Sequence, residues 1–296
     1  MKGSLRSGFA LYCPLFISTL AGMRKSSANP LRLIVIVAML FSLLPAGFEA
    51  QAADKAGKKK RKNAPAKNLS PKEAVRVLLI TGGCCHNYFF QSQMMVQGIG
   101  KKVNTRWTVL HDGGTGTQAE IDLYSNPDWA KKYDVVIHNE CFANTTNENY
   151  IRRITATHKA GVPALVIHCA MHTYRAAQID DWREFLGVTS RRHDHQSRYP
   201  VKVVAPEHPV MKGFPKDWVT PMDELYVIEK LWPNAKALAT SVSEKTKDEH
   251  PVFWVNQYGK ARVFGTTYGH SDETFQEQPF IQVLANAVRW VTENLK

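Results

Sequence analysis

Three short runs that are apolar at nearly every position constrain this chain most. Residues 76–81 read Arg-Val-Leu-Leu-Ile-Thr, residues 134–138 Asp-Val-Val-Ile-His and residues 164–168 Ala-Leu-Val-Ile-His. A strand apolar at consecutive rather than alternate positions is buried on both faces, the condition of a parallel sheet covered by helices. The intervening segments supply those helices. Residues 91–101 have helical spacing, and residues 147–160 read as a helix stopped by Gly161 and Pro163. Residues 105–111 form another strand, followed by turn chemistry at 112–116, Asp-Gly-Gly-Thr-Gly. Strand and helix in alternation predict a layered α/β fold.

The second half is less regular. It predicts a short helix at 180–187, strands at 201–204, 225–228, 235–239, 252–255 and 261–266, and a long closing helix at 273–295. No internal repeat is visible. A single doubly wound α/β domain over residues 73–296 accounts for the pattern.

The formal net charge of +12 would point to nucleic acid if it were spread over that domain. It is not. Residues 1–52 hold five Lys/Arg and one acid, and residues 53–72 hold eight Lys/Arg and Asp54. The rest holds 25 Lys/Arg against 24 acids, so no nucleic-acid partner is expected. Arg24, Lys25 and Arg32 precede an apolar stretch from Leu33 to Leu40, which continues with interruptions to Leu44. Ala50-Gln51-Ala52 then completes the order of a secretory signal peptide over residues 1–52. Met23 would start a signal of normal length, and residues 1–22 read as an over-extended start. The apolar stretch is shorter than the roughly 20 residues of a membrane span, so no stable span is expected after cleavage. An uncleaved anchor would export the domain equally. Residues 53–72, with five consecutive basic residues from Lys58 to Lys62, read as a disordered linker. The expected location is the periplasm or exterior of a bacterial-type cell. A homo-oligomer stays open.

Export bears on the cysteines. Cys13 leaves with the signal, while Cys84, Cys85, Cys141 and Cys169 remain and form no C-x-x-C pair of the structural-zinc kind. In an oxidising compartment one bridge can form. Because Cys84 and Cys85 are adjacent, at most one of them is expected to bond to Cys141 or Cys169.

In a doubly wound fold, chemistry collects at the carboxyl ends of the parallel strands. After the first strand come Gly82, Gly83, Cys84, Cys85, His86, Asn87 and Tyr88. After the strand at 134–138 come Asn139, Glu140 and Cys141, and after Ile167 come His168, Cys169 and His172. The last strand delivers Tyr268, Gly269, His270, Ser271 and Asp272. Four strand ends thus bring His, Cys and carboxylate to one expected rim. Asp223-Glu224, before an apolar Leu-Tyr pair, offers carboxylates as base, ligand or sugar-hydroxyl acceptor, or else a strand cap. His193-Asp194-His195 reads as polar loop chemistry in which one histidine reaches the rim. No Gly-rich nucleotide fingerprint stands at a strand–helix junction, so NAD and ATP are not expected.

These residues resemble the ThuA-like (trehalose utilisation) family of the class I glutamine amidotransferase-like superfamily. The resemblance rests on ITGGCCHNY, GVPALVIHCAMH, DDWREFLG, EHPVMKGFP, DELY and HPVFWVNQYGKARVFGTTYGH, which run from residue 80 to 270. Pro215 to Trp218 followed by DELY, with the Gly-Lys-x-Arg-Val-Phe ending, is specific in combination. Ala261 stands where the family often has Gly, and Gly161-Val162-Pro163 replaces a Gly-rich stretch. The resemblance implies a flavodoxin-like three-layer sandwich with a mostly parallel sheet and a site at the elbow after its central strand. In amidotransferase relatives that elbow carries a nucleophilic cysteine and a late His-x-Glu. Here His168 fills the slot, Cys169 lies one residue beyond, and the late element is His270-Ser271-Asp272. Neighbours at an elbow point different ways, so glutamine hydrolysis is not expected.

The expected catalytic residues are His168, His270 and Glu224. Substrate contacts are expected from His86, Asn87, Tyr88, Asn139, Glu140, His172, His195, Asp223 and Tyr268. An imidazole here can serve as acid or base, or bind a divalent metal such as zinc, with His86, His168, His195 and His270 as candidate ligands. Three functional classes follow. The first is an exported enzyme acting on a small carbohydrate ligand, an oxidised (keto) sugar or disaccharide, by hydrolysis, elimination or isomerisation. The second is a non-catalytic sugar-binding module, and the third a hydrolase dependent on Cys169. Loss of activity in Cys169→Ala would select the third, and saturable sugar affinity without turnover the second.

Overall fold

The structure, a computed structural model, describes residues 74–293. The signal segment and the basic stretch at 53–72 lie outside the described residues. The chain runs β1 (Val75–Gly83), α1 (Tyr88–Gly100), β2 (Thr105–His111), β3 (Val135–Cys141), α2 (Glu148–Ala160), β4 (Ala164–Ile167) and α3 (Asp181–Leu186). It continues with β5 (Val188–Ser197), β6 (Lys202–Val203), β7 (Asp223–Leu231), β8 (Ala235–Val242), β9 (Glu249–Tyr258), β10 (Ala261–Thr266) and α4 (Gln278–Thr292).

Eight strands form one sheet in the order β2-β1-β3-β4-β10-β9-β8-β6. The first five are mutually parallel, and β9, β8 and β6 extend the sheet antiparallel. The inner parallel strands β1, β3, β4 and β10 are buried on both faces, while β2 forms the more exposed edge. Along β1, Val77 and Leu79 join one core with residues of α1 and α4, while Leu78 and Ile80 join the other with α2 and α3. That is the flavodoxin-like three-layer sandwich. A separate antiparallel pair, β5-β7, carries two further segments to the site. Among the described residues no helix is long and apolar enough to cross a membrane.

The structure departs from the expected elements in three places that matter for function. First, β1 and β3 do not stop before their polar residues; Gly82 pairs with Glu140 and Gly83 with Cys141. Gly83 has φ +94°, and an added Cβ would lie 2.2 Å from the Cys141 carbonyl oxygen, so glycine alone permits this approach. Second, residues 193–195 lie within strand β5 rather than in a loop. Its residues are mostly polar, and register shifts break its alternation, which removes the period-2 pattern a sequence reading needs. Third, the closing helix begins only at Gln278, behind a short 3-10 turn at Thr274–Gln276. Pro279 occupies its first turn, the one helical site where a missing N–H costs nothing.

The four cysteines pair as Cys84–Cys85 and Cys141–Cys169. Neither of the adjacent cysteines bonds to Cys141 or Cys169, and two bridges form where the sequence suggested one. Bonded to Cys141, Cys169 carries no free thiol for a nucleophile in this state.

Candidate functional site

The elbow is where the sequence placed it. β4 ends at Ile167, and His168 takes φ +44°, the left-handed conformation that turns the chain sharply and presents its side chain above the sheet. Such a conformation in a non-glycine residue costs energy that the surrounding packing must offset. Gly269, φ +130°, lies directly against it, and a Cβ there would come within 3.2 Å of His168 Cβ. The β10 loop can therefore approach the elbow only with glycine at that position.

Three imidazoles converge at this point. The ring centroid of His86, from the β1 loop, lies 4.8 Å from that of His168 and 4.9 Å from that of His270. One ligand nitrogen from each ring falls within 4.8 Å of the others. His168 Nδ1 donates to the Thr267 carbonyl at 2.6 Å, because a carbonyl can only accept. This fixes the tautomer and leaves the Nε2 lone pair facing the cluster, where Tyr226 Oη lies at 3.3 Å. Both ring nitrogens of His86, and Nδ1 of His270, are buried without a hydrogen-bond partner. Buried polar atoms are nearly always satisfied, so three orphans on converging imidazoles call for an explanation.

Glu224, at the start of β7, sits among these rings. Its Oε2 lies 3.3 Å from His270 Nδ1, 3.5 Å from His193 Nδ1 and 3.7 Å from His168 Nε2. These are ion-pair distances without hydrogen-bond geometry. Burial acts to raise the Glu224 carboxyl, but His270, His193 and His86 together hold it below its ordinary value. The same Glu224 contact raises His270 against its partial burial. Burial, reinforced by His270, lowers His86 to about 4. His168 is driven well below the ordinary histidine value by complete burial, with His86 adding to the effect. Two of the rings are therefore neutral at pH 7, the form that binds metals.

The remaining expected residues divide between the site and its scaffold. Asn87 caps α1 and ties the β1 loop to the β10 loop, its Nδ2 donating to Asp272 at 2.8 Å. Tyr88 Oη donates to the Cys84 carbonyl at 2.8 Å, holding the loop that carries His86. His172 is buried, bonded to Ser190 at 3.0 Å and stacked on Tyr226 with centroids 4.0 Å apart. It supports Tyr226 from behind rather than facing the cluster.

Like Tyr88 and His172, four more of the expected contacts are buried, and His195 lies away from the cluster. Asn139 and Glu140 lie within β3, so they point into the two cores. Asn139 donates to Gln91 at 3.0 Å, and Glu140 pairs with His138 at 2.8 Å. Asp223 is fully buried and accepts from the Gly269, His270 and Glu224 backbone N–H groups and from Thr274. It anchors the His270 loop and has no oxygen to spare for a sugar. Tyr268 is fully buried and bonded to Ser241, leaving no face to stack on. His195 points away, 63% exposed and paired with Glu244 at 2.8 Å. A register shift between His193 and Gln196 directs those two residues to the cluster instead, with Gln196 Nε2 2.7 Å from His270 Nε2.

The sequence expectation that one histidine of 193–195 reaches the rim is met by His193, while Gln196 and Tyr226 were not expected as neighbours of the cluster. Strand parity from Glu224 would have found Tyr226, since i and i+2 share a face. Nothing short of the observed bulge locates Gln196 or selects His193 over His195. A cleft of about 610 Å³, lined by Pro209, Lys212, Asn286 and Trp290 among others, contains no member of the cluster.

The ThuA (trehalose utilisation) sequence family matches residues 76–291. No curated protein sequence matches the chain. A ThuA-like protein from Parabacteroides merdae has a similar solved structure, with TM-score 0.61, 20% identity and coverage of 74% of this chain and 90% of that one. Another from Bacteroides uniformis gives TM-score 0.58 and 19% identity over 78% of this chain and 96% of that one. At such identities the likeness concerns the fold.

Proposed function

This chain belongs to the ThuA (trehalose utilisation) family, and on that premise we propose that it is an exported carbohydrate-active enzyme whose His86–His168–His270 cluster holds a divalent metal ion, with Glu224 as its base. The family sets the context, carbohydrate utilisation; the residues of the cluster set the chemistry. The observation that carries the reading is the set of three buried, partnerless ring nitrogens beside an ionised carboxylate. Three histidines are a ligand set of catalytic zinc sites; His86 and His168 are already neutral, and His270, raised by Glu224, would give up its proton when a metal binds. The Thr267 carbonyl that orients His168 is the kind of outer partner such ligands have.

A divalent ion there would supply Lewis-acid polarisation of a sugar carbonyl or hydroxyl oxygen. The chain's own groups do the rest. Glu224, held ionised by the surrounding imidazoles, accepts a proton from the substrate or from water. Tyr226 Oη, 3.3 Å from His168 Nε2, is placed to donate a hydrogen bond to an oxygen entering the cluster. Gln196 fixes the His270 ring. Phe89, 80% exposed at the start of α1, offers an apolar face to a sugar ring. An oxidised (keto) sugar or a disaccharide suits this set, since its carbonyl or glycosidic oxygen is where polarisation and proton transfer act together.

The test is metal content, by mass spectrometry, of protein purified without a histidine tag, wild type beside His168→Ala. Near-stoichiometric zinc or another divalent ion in the wild type, absent from the variant, supports the reading. Metal retained by His168→Ala would refute the assignment of the site. A panel of keto-sugars and disaccharides then separates turnover from binding alone. Export rests on the apolar and Ala-x-Ala segments of the sequence, and N-terminal sequencing of the mature protein checks it.

A further inference from the structure

The four cysteines run from exposed to buried as they approach the elbow. Cys85 is exposed, Cys84 is half-buried, and Cys141 and Cys169 are only 3% and 6% exposed. Cys84 is bonded to Cys85, and Cys141 to Cys169. Between the two disulfides, Cys84 Sγ lies 3.8 Å from Cys141 Sγ, close to van der Waals contact. The sulfurs of Cys84, Cys85 and Cys141 all fall within 4.8 Å of one another. Two disulfides in contact, one accessible and one sealed, form a path for thiol–disulfide exchange rather than two independent staples.

We propose that the four cysteines are a relay that carries an electron pair from a protein dithiol in solvent to the buried Cys141–Cys169 disulfide. The external dithiol attacks the exposed Cys85 sulfur, breaks the Cys84–Cys85 bond and departs as its own disulfide, leaving Cys84 and Cys85 reduced. The Cys84 thiolate then attacks Cys141 Sγ. A Cys84–Cys141 bond forms, the Cys141–Cys169 bond breaks, and Cys169 leaves as a thiolate that takes up a proton. The Cys85 thiolate next attacks Cys84, re-forming Cys84–Cys85 and releasing Cys141, which is protonated in turn. The net change is one electron pair and two protons moved from the external dithiol to Cys141 and Cys169. Every step reverses with an external disulfide as oxidant. The relay begins beside His86 and ends beside His168, so the redox state of the buried pair is set next to two members of the histidine cluster. It rests on sulfur positions alone and stands or falls independently of any metal.

The experiment uses the protein purified without reductant, reduced thioredoxin as the protein dithiol, and alkylation with peptide mass mapping. In the wild type, Cys141 and Cys169 become alkylated under thioredoxin. In Cys84→Ser/Cys85→Ser their reduction slows by about tenfold or more, because a protein dithiol cannot reach sulfurs so deeply buried. A small phosphine reductant should still open Cys141–Cys169 in that variant, showing that the bond formed and the fold is intact. Cys85→Ser removes the resolving thiol, so a Cys84–Cys141 disulfide peptide with Cys169 free should be recovered. Equal reduction rates in wild type and double variant would overturn the relay. So would absence of the Cys84–Cys141 peptide, or isolation of the wild type with its four thiols free or metal-bound.

Discussion

Two groups of buried histidine lie in this domain, and they are finished in opposite ways. On the α2 side of the sheet, every ring nitrogen of His138 and His158 has a partner. His158 Nδ1 donates to the Val162 carbonyl at 2.8 Å, so its Nε2 is a lone pair that accepts from His138 Nε2 at 3.0 Å. His138 Nδ1 then meets Glu140 at 2.8 Å, and Trp182 and Phe185 close over the rings. At the carboxyl end of the sheet, His86 and His270 leave three ring nitrogens buried and unpartnered beside Glu224. Burial is common to both groups and says nothing about function by itself. The ring nitrogens separate them: in the first group each has a partner, and in the second three have none.

The sharpest way to break that contrast is to remove one ring from each group. His168→Ala should reduce bound metal to background and turnover by about 10²–10⁴-fold, the scale of losing a positioned catalytic group. Some stability should be lost with it, since removal of the buried ring leaves the Thr267 carbonyl without its donor. His158→Ala should lose stability without losing metal. It leaves His138 without a partner and opens a void beneath Phe185, at a cost of about 2–4 kcal/mol in urea unfolding. Metal stoichiometry of the folded fraction should stay at the wild-type level. If both variants lose metal, or both lose only stability, the two groups are not different in kind.

The same distinction sets the acid limb of the stability curve. Burial lowers His158 to about 3, and burial with Arg175 and His193 beside it lowers His172 to about 3. Both are neutral in the fold, while in the unfolded chain they take up protons below about pH 6.5. Their contribution is therefore fully present above that pH. It is lost as pH falls toward 3, by about 1.4 kcal/mol per pH unit for each ring. Denaturant midpoints between pH 7 and 4 measure the slope, and His158→Ala should flatten it. An unchanged slope would mean that His158 is already charged in the fold.

How far the sequence could be read follows from the same physics. β1, β3, β4 and β10 were legible because strands buried on both faces are apolar at nearly every residue. Their ends delivered His86, His168 and His270 to one place, and His168 was recognisable as the elbow. Glu140 and Asn139 were misjudged because β3 runs on through polar residues that find partners inside the cores, which apolarity does not reveal. Asp223 was misjudged for a related reason: a carboxylate accepting three backbone N–H groups looks, in sequence, like one offered to a ligand. β5 was invisible because a bulged, mostly polar strand has no period, so Gln196 went unseen and nothing chose His193 over His195.

Two phenylalanines carry the contrast down to its smallest expected effect. Phe185 is buried and stacked on His158 with ring centroids 4.4 Å apart, part of the lid that closes the satisfied pair. Phe89 stands 80% exposed on the first turn of α1, three residues after His86. A ring that size left in water on the segment that follows His86 makes sense if something apolar covers it during function. Phe89→Ala should leave unfolding within about 0.5 kcal/mol of wild type, as surface substitutions usually do. Loss of one aromatic contact with a sugar is worth about 1 kcal/mol, so KM should rise by roughly fivefold with kcat nearly unchanged. Val109→Ala is the control, because Val109 is also exposed but lies on the edge strand β2. A KM that moves equally in both variants would remove Phe89 from the proposed substrate face and leave only polar groups there to bind a ligand.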